Sequence, residues 1–191
     1  MNKTVNLGLI FKNRIGIVSQ VSKRIFENGG NIIHSDMIKL GNHFAFDLTA
    51  IFSNDYKSDT LTRELNYQSR ISSLIGGSVH GETFSYNKNQ NISNRLDKNC
   101  ILSLSDDTYK SQIKLYSSDN PGIIHSTCEK LESLNADIIR LKSFVTPAPF
   151  SSNPIFGLDV EFNIDRSNSK EMIKDTLEEV VNNYYCDIDI N

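Results

Sequence analysis

The residues best placed to do chemistry form a polar turn before a predicted helix, Asp119-Asn120-Pro121-Gly122. The start of a helix presents unpaired backbone N–H groups and attracts an anion such as a carboxylate. A free amino acid would also need an acceptor for its ammonium group, which an amide or carboxylate on the adjacent strand can supply. The same turn suits a purely structural role, because Asp or Asn can cap a helix and Pro is accepted at its first position. Both interpretations remain open.

The sequence contains no recognisable catalytic or metal-binding motif. Its 4 histidines form no His-x-x-x-His or Cys–His cluster, and there is no nucleophile elbow, P-loop or dinucleotide fingerprint. Cys100, Cys128 and Cys186 are odd in number and include no Cys-x-x-Cys, which favours buried thiols in a reducing compartment. Cys128 lies on a predicted apolar helix stripe and should be an inert core thiol. We therefore expect a non-enzymatic protein with no metal and no cofactor.

The chain contains an internal repeat, and the polar turn belongs to it. Gly16 aligns with Gly122 at an offset of 106 residues, and the register runs without a gap from Leu7 to Ile33. Apolar residues meet apolar residues along this stretch. One coincidence would mean little, but many matched positions in one register predict two copies of a single structural unit.

Each copy has the pattern of a β-α-β-β-α-β unit. Apolar residues alternate along the predicted strands and recur at helical spacing in the predicted helices. In the predicted strand over 43–52, one face should consist of Phe44, Phe46, Leu48, Ala50 and Phe52. Gly29-Gly30 should end the first helix of copy one, and Asn135 that of copy two. This order predicts the α+β class and a ferredoxin-like fold, with both helices on one face of an antiparallel sheet. The later strands are expected at 31–40, 43–52 and 78–86 in copy one, and at 136–145, 155–164 and 184–190 in copy two.

A polar, Asn-rich segment over residues 87–99 separates the two copies and is typical of a linker. We predict a first domain over residues 1–86, a linker over 87–106 and a second domain over 107–191. In copy two, the second helix should bury an apolar face that includes Met172, Ile173 and Leu177.

The overall charge restricts the classes of partner. The formal net charge is −3, whereas nucleic-acid binders usually carry a basic surplus that neutralises phosphates. The apolar run near the N-terminus is far too short for a signal peptide or a membrane span. We expect a cytoplasmic protein that does not contact nucleic acid directly and does not enter a membrane.

The repeated motifs resemble those of two tandem ACT domains, which are small regulatory modules that bind amino acids, usually at domain interfaces. The motif reads KNRIG and GGNI in copy one, and DNPG and NADI in copy two. The resemblance covers nearly all of the chain outside the linker. It implies two ferredoxin-like βαββαβ (ACT) domains in tandem.

The resemblance also implies a ligand site. In the ACT domain of serine-regulated phosphoglycerate dehydrogenase, the turn Asn and the Asn that opens the second strand contact the effector. The matching positions here are Asn13 and Asn31 in copy one, and Asp119 and Asp137 in copy two. The other turn residues complete the predicted ligand-binding set: Arg14, Ile15, Gly16, Asn120, Pro121 and Gly122.

The two copies depart from the family pattern in different ways. Copy one has Ile15 where the family usually has Pro, but it keeps Asn13, Gly16 and Asn31. Copy two keeps Pro-Gly but has two acids, which would repel the carboxylate of an effector and favour its ammonium. We therefore expect copy one to hold the complete amino-acid site and copy two to be more structural. An interdomain site that uses both copies remains open.

The tandem layout, with a long insertion before the third strand of copy two, resembles the glycine cleavage system transcriptional repressor family. Members of that family are thought to act through a DNA-binding activator without touching DNA. The resemblance implies an amino-acid-sensing regulatory protein, expected to be a homodimer, that controls a transcription factor by protein–protein contact. The alternative is a detached ACT regulatory subunit of an amino-acid biosynthetic enzyme.

Overall fold

The structure is a computed structural model that describes residues 3–53, 55–75, 107–118, 120–147 and 154–191. Within these ranges the first unit contains β1 (Lys3–Lys12), α1 (Ile17–Glu27), β2 (Gly30–Leu40), β3 (His43–Phe52) and α2 (Asp55–Ile75). The second unit contains β4 (Thr108–Ser118), α3 (Ile123–Ser133), β5 (Asp137–Pro147), β6 (Pro154–Asp165), α4 (Lys170–Tyr184) and β7 (Asp187–Ile190). The predicted linker and the predicted strand at 78–86 lie outside the described residues.

The described strands form one antiparallel sheet in the order β1-β3-β2-β5-β6-β4-β7. The two units meet edge to edge where β2 pairs with β5, and Asp36 lies opposite Lys142 at the centre of that pairing. These two residues are equivalent in the repeat, so a pseudo-twofold axis passes between them. One pair away, the buried Ser35 and Ser143 hydroxyls are 2.7 Å apart across the junction.

The two units share unusual backbone features at equivalent positions. A register shift occurs between Ile32 and His34 in β2 and between Ile138 and Arg140 in β5. The chain leaves α1 and α3 through a left-handed residue, Gly29 (φ 75°) and Asn135 (φ 54°) respectively. Both helix ends were expected from the sequence and are confirmed. The α+β class and the tandem ferredoxin-like arrangement are likewise confirmed.

The core lies between the sheet and the helices. Alternate side chains of each long strand are buried, and they join residues of all the described helices in one apolar cluster that spans both units. The predicted buried face of β3 is confirmed in full, with each residue at most 2% exposed: Phe44, Phe46, Leu48, Ala50 and Phe52. Because the cluster is continuous, the two units bury their apolar faces together.

The end of unit two differs from the prediction. The last strand was expected to begin at 184, but α4 continues through Tyr184, and the left-handed Tyr185 (φ 50°) separates it from β7. Met172 was expected in the core but is 47% exposed, because it lies in the first turn of α4 beyond the sheet-facing stripe. The Ser169 side chain caps this helix by accepting a hydrogen bond from the Met172 N–H at 3.2 Å. None of the described helices is long and apolar enough to cross a membrane.

Candidate functional site

The helices α1 and α3 each begin at a left-handed glycine. Gly16 (φ 81°) precedes α1, and Gly122 (φ 91°) precedes α3. A residue with a side chain would be strained at this φ, and glycine offers no side chain to cap the helix. Each helix start is therefore open to a group supplied from elsewhere in the molecule.

The structural interpretation of the turn, with Asn120 as the cap of α3 and Pro121 at its first position, is wrong. Pro121 was expected at the first helical position, but the helix begins at Ile123, after Gly122. Asn120 contributes its backbone carbonyl oxygen, which accepts a hydrogen bond from the Ile123 N–H at 3.4 Å. The physical reason is the positive φ of Gly122, at which the chain turns into the helix. With Asn120 as the cap the helix would begin at Pro121, two residues before its observed start at Ile123. Asp119 lies outside the described residues.

The start of α1 lies beside a polar cluster drawn from both units. The Asn13 amide donates a hydrogen bond to Oδ1 of Asp137 at 3.4 Å. Lys39 Nζ is 2.5 Å from Oδ2 of the same carboxylate, and the two side chains of this ion pair are 21% and 27% exposed. Asn13 comes from the turn after β1, Lys39 from the end of β2 and Asp137 from the start of β5. We refer to the residues around the start of α1, namely Asn13, Gly16, Lys39 and Asp137 together with Glu132 of α3, as the α1 cleft.

Glu132 closes the α1 cleft from the last turn of α3. A Cβ atom placed on Gly16 would lie 2.2 Å from Oε1 and 3.0 Å from Oε2 of Glu132. The carboxylate therefore occupies the space that the missing side chain of Gly16 leaves open. A negative charge at this point is favoured by the partial positive charge of the helix start.

The start of α3 is covered by an aromatic ring instead. A Cβ atom on Gly122 would lie 2.9 Å from the ring of Phe26, which comes from α1, and 3.1 Å from the Tyr184 hydroxyl of α4. The ring of Phe26 also lies 6.3 Å from that of His125, measured between centroids. The Tyr184 and Ser126 hydroxyls are hydrogen-bonded at 2.9 Å. We call the space around Gly122, Phe26, His125 and Tyr184 the α3 cleft.

A small cavity lies under Phe26 in the α3 cleft. Its volume is about 10 Å³, and its lining includes Asn31 and Gly30 of β2 together with Gly122 and Ile123. That volume holds about one water molecule. A free amino acid would fit only after Phe26 moved, and this ring is 42% exposed.

The predicted site residues are thus distributed across the unit boundary. Asn13 contacts Asp137 of the other unit, and Asn31 shares the cavity lining with Gly122 of the other unit. The exposed Arg14 side chain donates a hydrogen bond to the side-chain oxygen of Gln20, and Ile15 is 41% exposed. In this arrangement each turn faces the strand start of the opposite unit, so the single-copy site expected from Asn13 and Asn31 is divided between two clefts.

The predicted ligand-binding set omits five residues of these clefts: Phe26, Lys39, His125, Glu132 and Tyr184. Phe26 and Glu132 are equivalent in the repeat, being 106 residues apart, and they lie within the gap-free register. The repeat could therefore have shown that one position carries an aromatic ring in copy one and a carboxylate in copy two. Nothing in the local pattern indicates that this position reaches the helix start of the other copy.

The remaining reactive groups do not extend either cleft. Cys128 is buried in α3, and burial raises the pKa of its thiol far above the ordinary range, as expected for an inert core cysteine. Burial also raises the pKa of Cys186. Among the described residues there is no group of three or more His, Cys, Asp or Glu side chains that could hold a metal ion.

No family model matches the sequence, and no curated protein matches it. Solved structures do match. Aspartate kinase from Synechocystis aligns with a TM-score of 0.52 and 14% identity, over 93% of this chain and 26% of the kinase chain. A protein of unknown function from Galdieria sulphuraria aligns with a TM-score of 0.43 and 19% identity, over 100% of this chain and 98% of that one. A protein named as a glycine cleavage system transcriptional repressor aligns with a TM-score of 0.37 and 14% identity, over 100% and 97%.

At these identities the similarity concerns the fold alone. The chain spans about a quarter of the aspartate kinase that it matches. The kinase alignment covers both units of this chain, so the pair of units, and not only a single unit, has a counterpart among solved structures. The tandem fold predicted from the resemblance to ACT domains is therefore confirmed as a fold.

Proposed function

We propose that this protein is a non-enzymatic regulatory protein that senses a free amino acid at the boundary between its two units. The observation that carries the proposal is the Lys39–Asp137–Asn13 cluster beside the start of α1. An amino acid presents a carboxylate and an ammonium group a few ångströms apart. Lys39 and the helix start suit the carboxylate, while Asp137 and the Asn13 side-chain oxygen suit the ammonium.

The cluster also offers a route from binding to regulation. Lys39 belongs to unit one and Asp137 to unit two, so a ligand that separates this pair and bonds to both partners links the two units in a new way. The pair lies near the β2–β5 junction, which is the only strand pairing between the units among the described residues. A ligand at this point would favour one relative position of the units over another, in proportion to its difference in affinity for the two.

We further propose that the protein acts as a homodimer and controls a transcription factor by direct contact. The net charge of −3 disfavours direct binding to nucleic acid. The sheet face opposite the helices carries charges of both signs, including the Arg140–Asp36 pair at 3.2 Å and the Lys110–Glu161 pair at 2.5 Å. A mixed surface of this kind suits a protein partner better than a phosphate backbone.

Amino-acid sensing is tested by the thermal stability of the full chain with each free amino acid in turn. We expect one or a few amino acids to raise the Tm, because a ligand at 100 times its Kd stabilises the folded state by about 2.7 kcal/mol. Lys39→Met and Asp137→Asn should abolish the shift. The control Lys110→Met breaks an exposed ion pair on the opposite sheet face and should keep the shift in full.

Two results would contradict the proposed site. If no amino acid shifts the Tm of the wild-type protein, it does not sense amino acids. If Lys39→Met keeps the shift, the ligand binds elsewhere. The partner is tested separately, by purifying the tagged full chain from its native cells and identifying what accompanies it. A transcription factor would support the proposal, whereas an amino-acid biosynthetic enzyme would replace it with the role of a detached regulatory subunit.

A further inference from the structure

A row of alternating charges crosses the sheet on the face opposite the helices. In the strand register, Lys114 of β4 lies between Asp189 of β7 and Asp159 of β6. The row continues with Lys142 of β5 and then Asp36 of β2. The sign of the charge changes at every step from one strand to the next. We call these five residues the charge ladder.

The two central strands of the charge ladder enclose a polar cavity of about 230 Å³. It is lined by Arg140 and Lys142 of β5 and by Asp159 and Glu161 of β6. Arg140 and Glu161 are directly opposed, as Lys142 and Asp159 are. In both pairs β5 carries the cation and β6 the carboxylate. The cavity therefore has a positive wall along β5 and a negative wall along β6.

The sheet face of unit one does not repeat this alternation. Its row, read from β1 through β3 to β2, contains two carboxylates and no cation: Gly8, Asp47 and Asp36. Two copies of the chain that docked through this row would oppose carboxylate to carboxylate, which like-charge repulsion disfavours. Only the row of unit two offers both signs of charge in matched positions.

We infer that a second copy of this chain docks on the face of unit two, with a twofold axis that runs along the strands between β5 and β6. The inference rests on the homodimer of the proposed function and supplies its interface. A rotation about this axis places β5 of each copy opposite β6 of the other. The positive wall of one cavity then meets the negative wall of the other, and the contact occurs twice.

The same rotation matches the rest of the charge ladder. It places Lys142 opposite the partner's Asp159, and Asp36 opposite the partner's Lys114. Because a twofold interface repeats each contact, the row supplies four pairs of opposite charge. At the outer edge Asp47 would lie opposite the partner's Asp189, where solvent and salt screen the repulsion.

The apolar contact that such an interface also needs lies one row away. Exposed ion pairs contribute little on their own. A Cβ on Gly157 would lie 2.4 Å from the Phe144 ring, so this ring covers the gap between β5 and β6 where the axis passes. The rotation brings the two copies of the ring together. Tyr116, which is 46% exposed, lies opposite Gly157 on β4 and extends the apolar surface.

The face is large enough for a specific interface. Three strands on each side of the axis, about 4.8 Å apart and about eight residues long, cover roughly 750 Å² per partner. A standard interface buries about 800 Å² per partner. Because desolvation of the charges offsets much of their attraction, we expect a Kd in the micromolar range that rises with salt concentration.

The inference is tested by sedimentation velocity of the full chain over a range of protein concentrations. Lys142→Glu and Asp159→Lys each create two like-charge contacts in their own dimer, so the dimer Kd should rise at least about tenfold in each variant. A mixture of the two variants restores opposite charges at both contacts. It should form a heterodimer with a Kd within about threefold of the wild-type value. The control Lys23→Glu makes the same charge change on an exposed part of α1 and should leave the Kd unchanged.

The mixture also separates the interface from effects within one chain. Lys142→Glu places a carboxylate beside Asp36 and Asp159 of its own chain, which can lower stability without involving a partner. Mixing leaves these contacts as they are and repairs only the contacts between chains. A mixture that stays monomeric, like the separate variants, would therefore overturn the inference.

The remaining outcomes distinguish this inference from the proposed function. Variants that dimerise as the wild type does would overturn the interface and leave the homodimer intact. A wild-type chain that is monomeric throughout the micromolar range would overturn both. Amino-acid sensing, which the thermal shift tests separately, would stand in either case.

Discussion

The α1 and α3 clefts have the same backbone and opposite chemistry. Both helices start at a left-handed glycine, and both starts are covered by the side chain at one repeat position on the helix of the other unit. In the α1 cleft that side chain is the carboxylate of Glu132, and the same cleft includes the Lys39–Asp137 ion pair. In the α3 cleft it is the ring of Phe26, above a cavity that holds about one water molecule.

The difference shows which features a duplicated unit retains and which it can change. Gly16 and Gly122 stand at equivalent positions whose φ angles, 81° and 91°, would strain a residue with a side chain. The side chains at positions 26 and 132 face no such backbone constraint, and each extends from an exposed part of a helix. Two sites that began alike can therefore diverge into a polar cleft and an apolar one without any change in the fold.

The largest expected effect tests whether the two units are parts of one core. Ile25 of α1 and Leu131 of α3 are equivalent in the repeat, and both are fully buried in the shared apolar cluster. Ile25→Ala and Leu131→Ala should each lower the free energy of unfolding by about 2–5 kcal/mol. Urea unfolding followed by circular dichroism should show a single transition in both cases. Two separate transitions would mean that the units unfold independently and that the boundary is weaker than the continuous cluster indicates.

The next effect concerns the position just after the first helix of each unit. A Cβ on Gly30 would lie 2.6 Å from the Phe52 ring and 2.7 Å from Ile25 Cγ2, whereas unit two accommodates Ala136 at the equivalent position. Gly30→Ala should therefore destabilise the protein by about 1–3 kcal/mol through overpacking. The reverse change, Ala136→Gly, should cost about 1 kcal/mol through backbone entropy and a lost buried methyl group. The same urea titration measures both, and a neutral Gly30→Ala would show that the two units pack alike here.

The third prediction concerns pH and compares Cys128 with its repeat equivalent, Ser22, whose hydroxyl donates to the Val18 carbonyl oxygen at 2.7 Å. Burial raises the pKa of the Cys128 thiol in the folded state. Above about pH 8.5 the unfolded chain loses this proton while the folded protein keeps it. The free energy of unfolding should therefore fall as pH rises, by up to about 1.4 kcal/mol per pH unit from this group.

Below that range the thiol is protonated in both states, and its contribution to stability is fully present. Cys128→Ser copies unit one and should remove this part of the pH dependence between pH 8.5 and 10.5, measured by urea unfolding at each pH. Subtracting the free energy of unfolding of the variant from that of the wild type at each pH isolates the contribution of Cys128 from those of other groups that titrate in this range, including Cys186. Identical pH profiles would show that the Cys128 thiolate is accommodated in the folded protein.

The smallest expected effect lies at the edge of the α3 cleft. Tyr184 joins α4 to the start of α3 through its hydrogen bond with Ser126. The repeat equivalent of Ser126 is Gln20, which accepts a hydrogen bond from Arg14 within its own unit. Tyr184→Phe should cost about 0.5–1.5 kcal/mol, the usual net contribution of one hydrogen bond. Arg14→Ala removes the exposed contact in unit one and should change stability by less than about 0.5 kcal/mol. Equal losses in thermal unfolding would show that both contacts serve the same purpose.

Features that depend on local backbone preferences could be predicted from the sequence. The alternation of apolar residues identified the buried face of β3 from Phe44 to Phe52. Gly29 and Asn135 identified the ends of α1 and α3. The interpretation of Asn120 and Pro121 as the start of α3 was wrong, although it rested on equally local reasoning. Asn120 and Pro121 have the right residue types for a cap, but Gly122 decides where the helix begins. Residue type alone did not show which of several compatible turn positions the backbone would use.

Two copies of one α+β unit, each with a glycine before its first helix, could be predicted from the sequence alone. Periodicity and left-handed φ angles are properties of short segments, so they can be read along the chain. The structure was needed to show that β2 pairs with β5, that Asn13 contacts Asp137, and that Glu132 and Phe26 cover helix starts in the opposite units. Those contacts join residues more than 90 positions apart, so no pattern within a short segment of the sequence indicates them.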